Sequence, residues 1–458
     1  MCGIVGVSNF RRAAETAYLG LYALQHRGQE ATGIAAVHDG RATLHKAHGL
    51  VMDGFDDQVL KSLSGETAIG HTRYSTAGGK GLENAQPIVV RYHQGDLVLV
   101  HNGNLTNAQT LRDELVREGA LFQSSVDSEV IVHLIARSRE ETPDEQVYDA
   151  LSRLLGAFSV IITVGDVMYG ARDPWGFRPL VLGHRKDGYV FASETCALDL
   201  IGAELIDEVG PGEIIKIENG RLHSLRRLTP AGEIAPCIFE LIYFARPDSK
   251  VWGVSVDRAR RAFGRQLALE HPIAADCVFS VPDSSNSAAL GFSEQSGIPF
   301  ELGLIRNHYV GRTFIHPTQA GRDFRVRIKY NAVREVIEGK RVVVVDDSLV
   351  RGTTSRGLIA LIREAGAREV HFRVASPPVV SPCYYGIDMP TREELIGANK
   401  TVEEIRAHLN VDSLGYLSRE GMHDAVREYG PFCDACFGGR YAAPLADLER
   451  GLPVSSHC

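Results

Sequence analysis

A cysteine stands directly after the initiator methionine, in the opening segment MCGIVGV. After removal of Met1, Cys2 would carry both its thiol and a free α-amine, and an α-amine with its ordinary pKa of about 8 can act as the base for the thiol. The position of Cys2 therefore predicts an N-terminal nucleophile. A buried structural thiol is the alternative, because unpaired cysteines are often found in hydrophobic cores.

The first half of the chain also contains residues that could serve such a nucleophile in the hydrolysis of an amide. Asn102 and Gly103 lie in LVHNGNL, and a side-chain amide beside a glycine N–H can stabilise an oxyanion. Arg73 in GHTRYSTAG could pair with a substrate carboxylate through two parallel hydrogen bonds. Asp127 in VDSEV could accept hydrogen bonds from a substrate ammonium, or it could cap the helix that follows.

The segment VVVVDDSLVRGTTSRG predicts a phosphate-binding loop in the second half. A buried strand ends with Asp346 and Asp347, and a short loop of small and hydroxyl residues leads into a helix over SRGLIALIREAG, which should begin at Ser355. Backbone N–H groups at a helix N-terminus bind anions, whereas two carboxylates suit ribose hydroxyls and a divalent cation. An acidic turn before an N-capped helix is the structural alternative.

Two further segments could face the same ligand. In SVPDSSNS, Asp283, Ser284 and Ser285 follow a second strand. Residues 306–330 form a long polar stretch, which we interpret as a lid that neutralises negative charge on the ligand and closes a dry passage; a solvated basic loop is the alternative. Its basic residues include Arg306, Arg312, Arg322, Arg325, Arg327 and Lys329.

These residues must be positioned by a chain of 458 residues, a length that favours two or three domains. The formal net charge of −8 provides no chain-wide basic field for nucleic acid. No apolar run reaches the roughly 18 residues that span a bilayer, and no secretory signal is visible. We therefore expect a cytoplasmic protein that binds neither membranes nor nucleic acid.

The pattern changes near residue 231. Before it, short β-branched runs such as GDLVLVHNGNL alternate with helical segments such as AETAYLGLYALQHRG. We expect the helix in the second of these segments to end at Gly28. This mixture of strands and helices predicts a layered α/β domain. After it, strand, loop and helix follow one another, which predicts a parallel sheet with helices on both faces and ligands at the carboxyl ends of its strands.

The quoted segments resemble known families. CGIVGV, LQHRGQE, HTRYSTAG and HNGNL resemble the glutaminase half of N-terminal-nucleophile amidotransferases, and VVVVDDSLVRGTTS resembles the phosphoribosyl pyrophosphate (PRPP) signature of type I phosphoribosyltransferases. In this order, over nearly the whole chain, they are similar to glutamine phosphoribosylpyrophosphate amidotransferases, also called amidophosphoribosyltransferases. The resemblance implies an αββα glutaminase domain over residues 2–230 and a phosphoribosyltransferase domain over residues 231–458.

The resemblance also implies a role for each candidate residue. It makes Cys2 the nucleophile, Asn102 and Gly103 the oxyanion hole, and Arg27, Arg73 and Asp127 the glutamine-binding residues. It assigns PRPP to Arg306, Lys329, Asp346, Asp347, Ser348, Arg351, Gly352, Thr353 and Thr354. It assigns Mg²⁺ to Ser284, Asp346 and Asp347.

The cysteines point to a further cofactor. The segments APCIFELIYFARPDS, SPPVVSPCYYGIDMP and FCDACFGGRY are similar to the iron–sulfur subgroup of the family, which implies a [4Fe–4S] cluster. Its ligands would be Cys237, Cys383, Cys433 and Cys436. From spacing alone a four-cysteine zinc site is an equal alternative, and a metal-free arrangement is a third. We expect the other three to be structural thiols: Cys196, Cys277 and Cys458.

The implied activity is hydrolysis of glutamine at Cys2 and transfer of the ammonia to C1 of PRPP. The products are 5-phosphoribosylamine, glutamate and pyrophosphate, in the first step of purine synthesis. The resemblance further implies feedback inhibition by purine nucleotides and a homotetramer. Two alternatives remain at this point: another N-terminal-cysteine amidotransferase, such as a sugar-phosphate aminating enzyme, and a PRPP-sensing regulator without enzymatic activity.

Overall fold

The computed structural model describes residues 2–74, 81–186, 188–229, 232–308, 326–389, 391–452 and 454. Within these ranges, none of the helices has the length and apolar character required to traverse a lipid bilayer. The predicted boundary between the two halves, at residues 230 and 231, lies outside the described residues, and it stays a prediction.

Two antiparallel sheets are formed by the described residues of the first half. The seven-stranded sheet has the order β11-β9-β10-β1-β4-β2-β3, and the six-stranded sheet has the order β13-β12-β8-β7-β6-β5. The strands are β1 Gly3–Ser8, β2 Ala31–His38, β3 Arg41–His48, β4 Thr67–Arg73, β5 Ile88–Tyr92, β6 Gly95–Leu105, β7 Gly156–Val164, β8 Val167–Arg172, β9 Val181–Arg185, β10 Gly188–Ala192, β11 Glu204–Glu208, β12 Ile214–Glu218 and β13 Arg221–Ser224.

Helices cover the outer faces of both sheets. They are α1 Ala13–Ala23, α2 Val51–Gly54, α3 Asp57–Ser62, α4 Ala108–Arg117, α5 Glu129–Arg137, α6 Pro143–Ser152 and α7 Thr195–Ile201. Strand β6 shows how the layers arise: Val98 and Val100 pack between the sheets, while Leu97 and Leu99 pack against α4, α5 and α6. This two-residue alternation confirms the predicted αββα layering.

The second half contains the predicted parallel sheet, in the order β16-β19-β20-β21. The described strands of the second half are β14 Lys250–Val251, β15 Val254–Ser255, β16 Cys277–Ser280, β17 Leu304–Arg306, β18 Tyr330–Ala332, β19 Arg341–Asp346, β20 Glu369–Val374 and β21 Ser413–Tyr416. Strand β14 pairs with β15, and β17 pairs with β18, in two separate antiparallel sheets. Val342 and Val344 pack into one core and Val343 and Val345 into another, so both faces are buried, as the continuous valine run predicts.

The helices of the second half lie on both faces of this sheet. They are α8 Val256–Glu270, α9 Asn286–Ser296, α10 Arg334–Ile337, α11 Thr353–Glu364, α12 Ile396–Asn399, α13 Val402–Leu409, α14 Arg419–Ala425, α15 Ala435–Gly438 and α16 Ala446–Glu449. Helices α8, α9 and α14 contribute to one core, and α11 and α13 contribute to the other. The fold class predicted for this half is confirmed.

The expected helix closure at Gly28 is wrong. Helix α1 ends at Ala23, a 3₁₀ turn covers Gln25–Arg27, and Gly28 is extended, with φ −164°. A methyl group on Gly28 would lie 2.5 Å from the backbone carbonyl carbon of Arg73. Close packing of two backbones, rather than a helix cap, requires glycine at this position.

Candidate functional site

Cys2 lies in the core of the first half, directly beside Asn102. Its side chain is fully buried, and its backbone N–H donates to Oδ1 of Asn102 at 3.1 Å. The Nδ2 atom of Asn102 is buried and has no hydrogen-bond partner among the described residues. A buried amide donor without a partner is costly, and such a donor beside a thiol can bind an oxyanion.

Gly103 follows Asn102 on β6 in a conformation that requires glycine. Its φ is +155°, and a methyl group there would clash with the carbonyl oxygen of Ala157 on the neighbouring strand. The next residue, Asn104, donates from Nδ2 to the carbonyl oxygen of Tyr384 at 2.9 Å. The backbone at the predicted oxyanion hole therefore packs against the chain segment that follows Cys383.

Arg73 and Asp127 are both buried. Arg73 ends β4, where it pairs in register with Ala31. Oδ2 of Asp127 accepts the backbone N–H of Leu105 at 2.9 Å. Helix α5 begins at Glu129, so the alternative role of Asp127 as its cap is wrong. Its second carboxylate oxygen accepts a long hydrogen bond from the Ser128 hydroxyl, at 3.2 Å, and lies 3.9 Å from Nδ1 of His101.

Arg27 lies in a fully buried ion-pair network. Its Nε donates to the carbonyl oxygen of Cys2 at 3.0 Å, Nη1 donates to Glu194 at 2.5 Å, and Nη2 donates to Glu240 at 2.8 Å. Burial alone opposes the charge of Arg27, but the two carboxylates raise its pKa. Burial also opposes the charge of Glu194, but the nearby His26 and Arg27 outweigh this effect and lower the pKa of its carboxyl group.

The sequence reasoning missed Glu194 and Glu240. One signal was present for Glu240, a single carboxylate within the apolar run CIFELIYF, because buried carboxylates are almost always paired. The structure places this residue at the start of a π-helical turn, Glu240–Phe244, which belongs to the second half of the chain.

At the carboxyl end of β19, Asp346 and Asp347 meet the turn after β16. The hydroxyl of Ser284 donates to Asp347 at 2.5 Å, and that of Ser285 donates to Asp346 at 3.2 Å. Burial and the adjacent Asp347 raise the pKa of Asp346, and burial likewise raises the pKa of Asp347. Ser348 donates to Asp347 at 2.7 Å. The predicted convergence of the two turns is therefore present.

The phosphate loop leads directly into α11. Gly352 occupies the N-cap position with φ +75°, and Thr353 and Thr354 lie in the first turn, so the helix begins two residues earlier than expected. Arg351 points toward Glu394, with Nε 3.4 Å from a carboxylate oxygen. A free anion at this N-terminus would meet hydroxyl donors and the positive end of the helix dipole.

The predicted lid is described only at its ends, because residues 309–325 lie outside the described residues. Arg312, Arg322 and Arg325 fall in that range. Arg306 pairs with Asp283 at 2.7 Å, which places one end of the stretch at the turn after β16. Nζ of Lys329 lies 5.0 Å from the ring centre of Tyr330.

The four cysteines Cys237, Cys383, Cys433 and Cys436 line one small, almost entirely apolar cavity. A β-bridge joins Cys237 to Cys433. Burial raises the pKa of Cys237 to about 11, an effect that the nearby Arg178 opposes. Among the described residues, no three His, Cys, Asp or Glu side chains are grouped so as to hold a single metal ion.

The remaining described cysteines lie apart from this cavity. Cys196 is buried among the helices beneath the seven-stranded sheet, and Cys277 is buried on β16. Cys458 lies outside the described residues.

Comparison with known proteins gives consistent matches over the whole chain. A family model described as "Glutamine amidotransferase domain" matches residues 71–200. The amidophosphoribosyltransferase of Methanocaldococcus jannaschii is 48% identical, with 96% of this chain and 97% of the relative covered. The amidophosphoribosyltransferase of Bacillus subtilis is 49% identical, with 97% and 94% covered.

Two solved structures are similar over the same length. One, titled as the structure of the allosteric regulatory enzyme of purine biosynthesis, has a TM-score of 0.92 and 48% identity and covers 97% of each chain. The other is glutamine PRPP amidotransferase from B. subtilis complexed with ADP and GMP. It has a TM-score of 0.91 and 47% identity, and the match covers 97% of this chain and 98% of that one.

Proposed function

This chain belongs to the amidophosphoribosyltransferases, the glutamine-dependent enzymes of the first step of purine biosynthesis, and from that premise we propose how its residues divide the reaction between two sites. The likeness extends over both halves, and so the sugar-phosphate aminating enzyme and the non-enzymatic regulator are both set aside.

Glutamine hydrolysis is assigned to Cys2. After removal of Met1, the free α-amine of Cys2 takes the thiol proton, and the thiolate attacks the side-chain amide carbon of glutamine. Nδ2 of Asn102 and the N–H of Gly103 stabilise the oxyanion, the C–N bond breaks, and the nitrogen leaves as ammonia. Water then hydrolyses the thioester to give glutamate and the free thiol.

The observation that carries this assignment is the buried Nδ2 of Asn102 beside Cys2, which has no hydrogen-bond partner within the described ranges and is therefore available as an oxyanion donor. Arg73 and Asp127 are proposed to hold the carboxylate and ammonium of glutamine. Arg27 is proposed to support this site indirectly, because its own donors reach the Cys2 carbonyl and two glutamates.

Ammonia is then proposed to attack C1 of PRPP as the bond to pyrophosphate breaks. The carboxylates Asp346 and Asp347 bind the ribose hydroxyls, and the loop from Ser348 to Thr354 binds the 5-phosphate. Arg306 and Lys329 are assigned to the pyrophosphate. Stabilisation of the departing negative charge is the main requirement, since neutral ammonia needs little activation.

The donor set at the end of β19 fits Mg²⁺. Two adjacent carboxylates and the Ser284 hydroxyl are oxygen ligands, which this ion prefers, and it is usually held by one or two carboxylates together with substrate oxygens. Bound Mg²⁺ would neutralise charge on the pyrophosphate. It would also favour the ionised form of the carboxylate pair, whose pKa values are raised by burial.

The cysteine-lined cavity supports a [4Fe–4S] cluster, and with it membership of the iron–sulfur subgroup. Four thiols from three separate chain segments border one apolar cavity. A zinc site requires all four sulfurs about 2.3 Å from one ion, whereas a cluster distributes its four thiolates over several irons. The similarity of the three cysteine-bearing segments to the iron–sulfur subgroup is what favours the cluster over zinc. We assign it a structural role that joins the three segments.

The proposals on regulation and assembly rest on the relatives of this chain more than on the geometry of its described residues. The B. subtilis structure was solved with ADP and GMP, which supports purine nucleotides as feedback inhibitors of this enzyme. A homotetramer is proposed on the family resemblance alone, and a cytoplasmic location is proposed because no apolar run of the sequence is long enough to span a bilayer.

Substitution of Cys2 tests whether glutamine hydrolysis and ammonia transfer take place at two separate sites. Cys2→Ala should abolish pyrophosphate release that depends on glutamine and PRPP, and should retain at least half of the wild-type rate with added ammonia. A variant that retains Met1 should behave in the same way. Loss of both activities in folded Cys2→Ala protein would contradict the assignment of two separate sites.

The cluster is tested by iron and labile-sulfide content after anaerobic purification. The proposal expects about four of each per chain. Fully active protein without either would show that the cluster assignment is wrong.

A further inference from the structure

The buried network around Arg27 joins the two halves of the chain. Glu240 belongs to the second half, and both of its carboxylate oxygens accept from Arg27, at 2.8 Å and 3.0 Å. Arg27 in turn donates to the carbonyl oxygen of Cys2 at 3.0 Å. A bidentate arginine–carboxylate pair fixes the guanidinium plane as well as its position. Glu240 therefore determines where Arg27 can place its Nε–H.

The turn that carries Glu240 is itself held on two sides. The backbone N–H of Glu240 donates to the carbonyl oxygen of Cys237 at 3.1 Å, which ties the turn to the cysteine-lined cavity. On the other side, Arg260 of α8 donates to the carbonyl oxygens of Leu241 and Ala245 at 2.8 Å and 2.7 Å. Glu240 thus projects from a turn that is fixed within the second half.

Charge balance explains why the network tolerates complete burial. Arg27, Arg178, Glu194 and Glu240 all have side chains with no exposed surface. Nη1 of Arg178 lies 3.5 Å from Glu240, so Glu240 faces two arginines while Glu194 faces Arg27. The two arginine charges and the two carboxylate charges compensate one another, and the loss of either carboxylate would leave one buried positive charge uncompensated.

We propose that Glu240 is a positioning residue for glutamine hydrolysis, supplied to the nucleophile of the first half by the phosphoribosyl half. Its carboxylate holds Arg27, and Arg27 holds the Cys2 carbonyl, which keeps the thiol and the α-amine aligned with the oxyanion hole. Small displacements of a reacting group reduce rates strongly, by up to about a hundredfold for 1 Å. This inference rests on the proposed role of Cys2.

The test compares two turnover numbers of the full-length, anaerobically purified enzyme. In Glu240→Gln, kcat for glutamine-dependent synthesis should fall at least tenfold relative to kcat with ammonia, while KM for glutamine changes less than twofold. Alkylation of Cys2 by a diazoketone analogue of glutamine, followed by intact mass, should slow by a similar factor. A purely structural role would lower both turnover numbers together.

Asp434→Asn is the matched control. This carboxylate also pairs with an arginine, Arg419, and lies in the chain between two cavity-lining cysteines, but it occupies the N-cap position of α15, and its ion pairs are with Arg419 and His423 rather than with Arg27. The ratio of glutamine-dependent to ammonia-dependent kcat should stay within twofold of wild type in this variant. Iron content is measured in both variants, so that a general disturbance of the cavity is recognised.

A second variant covers the case in which Glu240→Gln does not fold. Glu240→Asp keeps the negative charge but withdraws it by one methylene group, and the same ratio should fall at least threefold. A ratio within twofold of wild type in every folded Glu240 variant, with unchanged alkylation, would overturn the inference. Failure of the proposed function looks different, since wild-type protein would then release no glutamate or Cys2→Ala would still release it.

Discussion

Gly386 lies directly against Gly103: a methyl group on Gly386 would come within 2.9 Å of both the carbonyl carbon and the carbonyl oxygen of Gly103. Gly386 follows Cys383 by three residues, and its φ is +98°. The loop that begins at a cavity-lining cysteine thus supports the backbone at the predicted oxyanion hole.

The first prediction concerns this contact. Gly386→Ala should displace the Gly103 backbone and lower glutamine-dependent synthesis at least tenfold, since the removal of one oxyanion donor costs about a hundredfold or more. Ammonia-dependent synthesis should stay within twofold. Gly119→Ala is the control, because it has a similar φ of +87° with no atom near the added methyl group. Equal losses in the two variants would show that backbone strain alone is responsible.

The second prediction concerns the phosphate loop, where a substitution should weaken PRPP binding and leave glutamine hydrolysis unchanged. In Gly352→Ala, the new methyl group would lie 2.8 Å from the Ile396 side chain, at a φ of +75° that disfavours alanine. KM for PRPP should rise at least tenfold with either nitrogen source, while glutamine hydrolysis measured without PRPP should not change. Gly339→Ala, with φ +72° and open space around it, should leave all three quantities within twofold.

Local patterns in the sequence predicted the layers and the site segments. The valine run before Asp346 identified a strand buried on both faces, because each valine has an apolar neighbour on its own side. The glycine at 103 also follows from local chemistry, whereas α11 begins two residues before its predicted start. These features depend on residues that lie close together in the chain, and such residues form a recognisable sequence pattern.

The environment of Arg27 could not be predicted in this way. Its partners Glu194 and Glu240 are 167 and 213 positions away along the chain, and nothing local shows that either will meet an arginine. The error at Gly28 has the same origin, since a tertiary contact with the Arg73 backbone decides its conformation. Sequence patterns identify which groups are present, whereas the folded chain decides which of them meet.

The third prediction tests the cluster ligands one at a time. Cys436→Ala should reduce iron and labile sulfide to less than about a quarter of the wild-type content and lower the apparent Tm, because a metal centre that binds only the folded chain stabilises it. Cys277→Ala removes another buried thiol, from β16 in the other core, and should retain the full content. Wild-type iron content in Cys436→Ala would remove this cysteine from the ligand set.

Glu129 supplies a pH-dependent contribution to stability. Burial opposes its charge, but the nearby His133, the Ser124 hydroxyl and the backbone N–H groups of Gln123 and Ser124 together lower its pKa to about 2. A carboxyl group whose pKa is lower in the folded state than in the unfolded state stabilises the fold at neutral pH. That stabilisation is present above about pH 4.5 and is lost as the pH falls toward 2.

Glu129→Gln should therefore lower the apparent Tm by roughly 5 °C at pH 7, and the difference from wild type should shrink steadily below about pH 4.5, because the wild type loses its advantage as the carboxylate is protonated. Differential scanning calorimetry between pH 7 and pH 3 measures this difference. Glu118→Gln provides the comparison, because Glu118 is exposed and its ion pair with Arg137 is open to solvent. Its substitution should change Tm by less than about 1 °C at every pH. A Tm difference for Glu129→Gln that remained constant down to pH 3 would mean that the carboxylate charge contributes nothing and that only the shape of the side chain matters.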